Sequence, residues 1–145
     1  MTPTLQILFG SALLTGCALL HVAIIASAIP LVKGLALKVS GIGRTMRRAL
    51  VLGLGVLVIL LAHTVQVWTW ALVFLLSEAL TTFPESFYFA MVTYTTLGYG
   101  DLVLGEGLRI FATFAAVTGL LTFGISTAFL ISLLSALFPS MKAKP

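Results

Sequence analysis

Three long apolar stretches that contain no charged residue constrain the fold of this chain more than any other feature. They cover residues 5–32, 49–77 and 110–138. A helix rises about 1.5 Å per residue, so about 20 residues cross the roughly 30 Å of hydrocarbon in a bilayer. All three stretches exceed that length. Only 8% of the 145 residues are charged, against about 25% in an ordinary soluble domain, so the sequence predicts an all-α membrane protein with three transmembrane helices.

The first stretch has a second interpretation, a cleaved secretory signal peptide. Ala26, Ser27 and Ala28 resemble a small-residue cleavage site. The stretch lacks a basic region at its start, however, and its apolar run is too long for a signal peptide. We therefore expect a transmembrane helix there.

A shorter helix is predicted between the second and third stretches. Pro84 at its first position and Glu85 in its first turn suit a helix start, where the helix dipole favours negative charge. Running to about Thr95, this helix would be about 18 Å long, too short to cross the bilayer. It must therefore enter and return on one side, which lipid tolerates only where protein or water surrounds the irregular backbone. We expect a re-entrant pore helix followed by a returning loop.

The charged residues divide between the two sides that this topology creates. The connection 33–48 and the tail 139–145 are basic, and the positive-inside rule places both in the cytoplasm. The N-terminus then lies outside and the C-terminus inside, while the outer connections hold Arg109 and all four acidic residues. The basic residues of the inner side are Lys33, Lys38, Arg44, Arg47, Arg48, Lys142 and Lys144.

Arg44, Arg47 and Arg48 precede the second stretch and have two interpretations. They either contact anionic lipid headgroups or only orient the chain, and the second interpretation is the plainer. They do not form a voltage sensor, which needs arginines repeated within a membrane-spanning helix. Nucleic-acid binding is not expected, because the basic residues flank apolar stretches and do not cover a soluble face.

The second stretch carries polar residues on one helical face. His63, Gln66 and Trp70 have the spacing of such a face, which predicts a polar seam against another helix. Trp68 and Trp70 suit the aromatic belt at a membrane interface. His63 is either a proton sensor, since histidine titrates near neutral pH, or a hydrogen-bonded packing residue. We favour packing for His63 and for His21 in the first stretch.

The returning loop consists of Thr95, Thr96, Leu97, Gly98, Tyr99, Gly100 and Asp101. It is similar to the TVGYG loops that form the selectivity filter of potassium channels. The resemblance implies binding of dehydrated K+, which needs several oxygen ligands at once. A backbone whose successive carbonyls face one axis adopts conformations that most residues avoid, and Gly98 and Gly100 permit these conformations.

The resemblance to the pore domain of tetrameric potassium channels extends over residues 78–137. The chain looks most like small bacterial ion-channel proteins that add one helix before a two-helix pore. The resemblance implies a four-fold homotetramer in the bacterial inner membrane. It divides the chain into a transmembrane helix with a basic cytoplasmic loop (1–48), a pore module (49–138) and a short cytoplasmic tail (139–145). The implied filter residues are Thr96, Leu97, Gly98, Tyr99 and Gly100, with K+ bound at the first four.

The resemblance also implies residues that support the filter. Tyr88 and Phe89 occupy the positions of the paired aromatic residues in the pore helix. Asp101 matches an acid that often bonds to one of these aromatics, but Tyr88 stands where tryptophan is usual, so that bond is left open. Glu78 resembles an acid that caps backbone groups behind the filter, and the alternative is a plain interfacial acid.

Two positions depart from the family pattern. Leu97 replaces the usual valine, and its additional methylene must fit behind the filter, where overpacking costs about 1 to 3 kcal/mol. Val92 stands where some members place a buried glutamate, so inactivation that depends on that acid is not expected.

The last stretch resembles the inner helix of the family. Gly119 is the first candidate for a hinge and Gly124 the second, and the alternative is that both glycines allow close helix packing in lipid. By the same resemblance Thr127 and Ile131 line the cavity or inner gate, with Phe123 as a further candidate.

The sequence therefore indicates a potassium-selective channel that conducts passively, with K+ as the permeant ion and no cofactor. One alternative is a weakly selective cation channel, because Leu97 alters the filter. Another is a non-conducting accessory subunit with a pore-like fold. An enzyme is not expected, since the sequence has no acid–base pair, metal-ligand cluster or nucleophile constellation. The gating stimulus and the packing of the first helix are not predicted.

Overall fold

The computed structural model describes residues 1–139, which form four α-helices. These are α1 (Pro3–Lys38), α2 (Arg44–Leu76), α3 (Phe83–Tyr94) and α4 (Glu106–Leu137). Helices α1, α2 and α4 are long and apolar enough to cross a membrane, whereas α3 has only 12 residues. The prediction of an all-α protein with three membrane-spanning helices is confirmed. Lys142 and Lys144 of the predicted tail lie outside the described residues.

The basic connection between α1 and α2 and the connection that precedes α4 are both shorter than the sequence predicted. Lys33 and Lys38 belong to α1, and α2 already begins at Arg44, so the loop between them contains only residues 39–43. At the other side, Glu106 and Arg109 lie in the first turn of α4 and not in a loop. Helices extend beyond the uncharged stretches because charged residues are tolerated where a helix leaves the hydrocarbon and reaches the headgroups.

The start of α3 follows from its local sequence. Thr82 caps the helix, and its Oγ1 accepts a hydrogen bond from the Glu85 amide at 3.4 Å. Pro84 lies in the first turn, and the Glu85 carboxylate accepts a bond of 3.0 Å from Thr81. The predicted proline and acid at this helix start are confirmed, with the helix beginning one residue earlier at Phe83.

Helix α1 packs against α2 and α4 of the same chain. The buried side chain of Gln6 donates from Nε2 to the Glu106 carbonyl at 3.2 Å, and its Oε1 accepts from the Ile110 amide at 3.0 Å. In the middle of the bundle, Gln66 Nε2 donates to the Cys17 carbonyl at 2.9 Å. These bonds fasten α1 to the N-terminal end of α4 and to α2 of the same chain.

An aromatic cluster fills the core between α2, α3 and α4. Trp70 is fully buried, with its ring centroid 5.6 Å from those of both Phe74 and Phe111. Its assignment to the interfacial belt was therefore wrong, whereas Trp68 is 47% exposed as the belt requires. Residues two positions apart point to opposite sides of a helix, so only one of the two tryptophans can face lipid.

Candidate functional site

The predicted filter segment, residues 95–101, starts directly at the end of α3. Its amides fold back onto the last turn of that helix: the Leu97 and Gly98 amides both donate to the Val92 carbonyl, at 2.9 and 3.2 Å, and the Thr96 amide donates to Thr93 at 3.0 Å. Carbonyls at a helix end lack partners within the helix. The amides of the filter segment supply these partners, and the bonds hold the segment at its N-terminal end.

Left-handed backbone recurs at every second residue of the filter segment. The φ angles of Thr96, Gly98 and Gly100 are +61°, +56° and +78°. Glycine adopts this conformation freely, as the sequence predicted. For a β-branched residue such as Thr96 it is rare and costs on the order of 1 to 3 kcal/mol. No pattern in the sequence predicts this strained threonine, since threonine ordinarily favours extended backbone.

A hydrogen bond joins α3 to the far end of the filter segment. Tyr88 Oη donates to Asp101 Oδ2 at 2.7 Å, so the bond that the resemblance left open is present. The bond lowers the pKa of the Asp101 carboxyl because it stabilises the carboxylate. It raises the pKa of the Tyr88 phenol for the same reason, since the proton is held between the two groups.

The other predicted support residues lie apart from this bond. Phe89 is buried and packs edge to face on Phe74, with centroids 5.1 Å apart. Glu78 is exposed just beyond the C-terminal end of α2 and has a left-handed φ of +53°. The Ala79 amide donates back to Phe74 at 3.1 Å across this residue, so the backbone at Glu78 terminates α2. The capping role of its carboxylate stays a prediction.

The side chains of the filter segment are exposed in the single chain. Residues 95–101 are all exposed, with Leu97 at 54% and Tyr99 at 69%. A single chain thus provides no packing for the Leu97 side chain behind the filter segment, and it leaves the Tyr99 ring uncovered as well.

The inner-helix candidates separate into one packed residue and an exposed stripe. A side chain at Gly119 would collide with the Tyr94 carbonyl oxygen, so this glycine allows α4 to approach the end of α3. Its role as a hinge stays a prediction. The remaining candidates follow helical spacing, and all four are exposed: Phe123, Gly124, Thr127 and Ile131.

A buried polar network connects all four helices, and the sequence predicted only part of it. Its members, called here the histidine network, are His21, His63, Tyr94, Thr122 and Ser126. Ser126 Oγ lies 2.9 Å from His21 Nε2 and 3.1 Å from His63 Nε2. Tyr94 Oη lies 2.8 Å from His63 Nδ1 and 2.7 Å from Thr122 Oγ1. The predicted polar seam of α2 is confirmed at His63 and Gln66, and both histidines are hydrogen-bonded.

The three arginines of α2 meet the end of α4. A cavity of about 250 Å³ is lined by Arg44, Arg47 and Arg48 together with Leu137 and Pro139. The Arg48 guanidinium lies over the Phe138 ring, 4.4 Å from its centroid. The arginines thus surround a recess beside the last turn of the predicted inner helix.

Comparison with known proteins agrees with this architecture. The family described as "Ion channel" matches residues 57–136, more than half of the chain. The chain is similar to potassium voltage-gated channel subfamily A member 7 of Homo sapiens, with 32% identity over 96 residues, covering 63% of this chain and 21% of that protein. It is also similar to the Mus musculus protein of the same name, with 40% identity over 53 residues, covering 36% and 11%.

The chain thus spans about a fifth or less of the length of these relatives. No solved structure matches it significantly.

Proposed function

We propose, since this chain belongs to the ion channel family, that it forms a homotetrameric, potassium-selective channel that conducts K+ passively. The observation that carries the proposal is the alternation of left-handed φ angles at Thr96, Gly98 and Gly100. Alternating the handedness of successive residues turns their peptide groups to the same side. A strand built in this way presents a row of carbonyl oxygens that replaces the water shell of K+.

The ion ligands in this proposal are backbone oxygens. Thr96, Leu97, Gly98 and Tyr99 contribute carbonyls, and Thr96 adds its hydroxyl. The bonds from the Leu97 and Gly98 amides to Val92 support this assignment, because they turn the amide groups toward α3 and leave the opposite side to the carbonyls. The similarity to potassium channel subunits favours K+ as the permeant ion.

Four copies of the chain complete the site. One chain supplies one strand of ligands, and a closed ring around an ion requires rotational symmetry. The exposed filter segment and the exposed stripe on α4 are the surfaces that such a ring would cover. In the tetramer, Thr127, Ile131 and Phe123 line the inner cavity and gate, and Gly119 or Gly124 permits α4 to bend.

Helix α3 serves as a re-entrant pore helix in this arrangement. Its 12 residues do not cross the bilayer, and the partial negative charge at its C-terminal end, near Thr95, faces a cation in the cavity. The N-terminus lies outside and the C-terminus inside a bacterial inner membrane. Tyr88, Phe89, Asp101 and Glu78 hold the filter from behind and at its outer mouth.

Anionic lipid is the partner we propose at the cytoplasmic surface. The recess lined by Arg44, Arg47 and Arg48 is basic and adjoins the end of α4, and juxtamembrane arginines attract anionic headgroups by about 1 kcal/mol each. A headgroup there would contact the outer helix and the inner helix of the pore together.

Purified protein in planar bilayers tests the function. With different K+ and Na+ concentrations on the two sides, the reversal potential should follow the K+ gradient. A reversal potential between those of K+ and Na+ would favour the weakly selective cation channel. Absence of both current and a four-fold oligomer would favour the accessory subunit and overturn the proposal.

A further inference from the structure

The histidine network lies inside the bundle, midway along the spanning helices. His21, Tyr94 and Thr122 are at most 1% exposed, and Ser126 is 5% exposed. It joins α1, α2 and α4 to Tyr94, the last residue of α3, which is followed at once by the filter segment. Potassium conduction through backbone carbonyls requires no such network, so its polar groups need a separate explanation.

Each hydroxyl group can donate only one proton, and this limit determines the direction of the hydrogen bonds around Tyr94. The Thr122 hydroxyl donates to the Thr118 carbonyl at 2.8 Å, so it accepts from Tyr94. The single phenol proton of Tyr94 is therefore used on Thr122, and Tyr94 Oη accepts from His63. His63 consequently carries its proton on Nδ1.

The tautomer of His21 follows from the same limit of one proton for each donor. A neutral His63 with its proton on Nδ1 accepts at Nε2, so the Ser126 hydroxyl donates to it. Ser126 Oγ then accepts from His21, which carries its proton on Nε2. The remaining nitrogen, His21 Nδ1, is buried and has no hydrogen-bond partner among the described residues. Both imidazoles are thus neutral, in opposite tautomers.

We propose that His21 and His63 form one proton-binding site that couples pH to the passage of K+. An added proton has two positions, the open His21 Nδ1 and His63 Nε2 after the Ser126 hydroxyl turns away. The ring centroids are 4.9 Å apart, so a first positive charge opposes a second and the pair takes up a single proton.

The charge would lie close to the proposed ion path. The His63 ring is 4.5 Å from that of Phe123, which belongs to the exposed stripe on α4. His63 also lines a cavity of about 220 Å³ together with Thr95 and Phe123, which gives the proton a route to the site. A positive charge in each subunit at this position repels K+ at the inner end of the filter, so acidification reduces K+ flux.

Few other groups compete for this proton. The titratable side chains near the pair are Tyr94 from α3 and the buried thiol of Cys17, one turn before His21 on α1; α4 contributes only Ser126 and Thr122. Along the spanning helices the nearest charged residue is Lys33, twelve positions from His21, or about 18 Å. Among the described residues of the bundle, the histidine pair is therefore the group that takes up a proton most readily on acidification.

The tautomers can be tested without any measurement of conduction. The chain contains two histidines, so solid-state NMR of the full chain, labelled with ¹⁵N-histidine and reconstituted in bilayers, gives ring-nitrogen signals from two imidazoles. We expect one Nδ1–H and one Nε2–H tautomer at about pH 8, and uptake of one proton by the pair on acidification to about pH 4, because burial disfavours the charged form. Identical tautomers, or simultaneous charging of both rings, would overturn the proposal.

The effect on K+ rests on the proposed function and is tested by flux into liposomes over the same pH range. Wild-type flux should fall with acidification, and because a tetramer holds four such sites the fall can be steeper than the roughly tenfold per pH unit that a single proton allows. The double variant His21→Gln with His63→Gln should conduct without this pH dependence, and Thr64→Ala, the exposed neighbour, should retain it. If the double variant does not fold, each single variant should show a weaker pH dependence than the wild type, and an unchanged dependence in both would overturn the proposal.

The outcomes separate the two proposals. Wild-type flux that does not change with pH contradicts the proton site alone. Absence of flux at every pH contradicts the channel, while the NMR measurement still decides on the proton site.

Discussion

Gly119 of α4 lies directly against the carbonyl oxygen of Tyr94, with no space for a side chain between them. This contact brings the predicted inner helix onto the last residue of α3, where the filter segment begins. The position of the filter thus depends on a glycine that is distant in sequence.

Gly119→Ala is expected to destabilise the folded protein. The added methyl group meets backbone, which cannot move aside as a flexible side chain would, and overpacking of this kind costs about 1 to 3 kcal/mol. Gly124→Ala is the control, because a methyl group at Gly124 meets no atom within 4 Å in the chain. Thermal unfolding in detergent would show a lower midpoint for the first variant only; equal midpoints would contradict the contact.

Gly98→Ala is expected to abolish K+ flux while the oligomer still assembles. Alanine at φ +56° is strained whatever the surrounding space, so the carbonyls on either side would leave their positions. Gly53→Ala, at a helical glycine with open space, should leave flux unchanged. Flux into liposomes, with the oligomer checked by size-exclusion chromatography, measures both. Normal flux in Gly98→Ala would refute the filter assignment.

Tyr88→Phe is expected to raise the pKa of the Asp101 carboxyl toward its ordinary value of about 3.9. The phenol donates to this carboxylate at 2.7 Å and holds its pKa lower. The bond therefore stabilises the fold above the ordinary pKa, and this stabilisation is lost as pH falls through the lowered one.

NMR titration of the Asp101 carboxyl tests this prediction, with Tyr88→Trp as a variant that retains a donor. An unchanged Asp101 pKa in Tyr88→Phe would show that the bond does not form in the membrane.

Arg48→Gln is expected to weaken association with anionic lipid by about fivefold, the equivalent of about 1 kcal/mol. Arg48 lines the recess beside α4, whereas Arg109 lies at the opposite end of that helix and serves as the control. The amount of phosphatidylglycerol that co-purifies from mixed vesicles gives the measurement. Equal losses in Arg48→Gln and Arg109→Gln would argue against a specific recess.

Local sequence was sufficient to predict the helices. Uncharged stretches identified the three long ones, and Pro84 with Glu85 marked the start of α3 within one residue. Gly98 and Gly100 were predicted to need unusual backbone for the same reason, because the property belongs to the residue itself.

Features that depend on distant contacts were not predictable in this way. The left-handed Thr96 is imposed by amides that bond back to α3, against the preference of threonine. His21 and Ser126 are 105 residues apart, and no spacing within either helix identifies the other as a partner. Burial of Trp70 likewise depends on which face α2 turns toward α4.

The Gln6 side chain bonds to the backbone of the first turn of α4 and restrains that end of the helix. With its N-terminal end clamped by this amide, α4 can swing as a lever whose free end is the C-terminal one. Ile110 and Leu137 are separated by about 40 Å of helix, so a tilt of about 10° at the clamp would displace the far end by about 7 Å. The same tilt would move Gly119, nine residues from Ile110, by only about 2 Å.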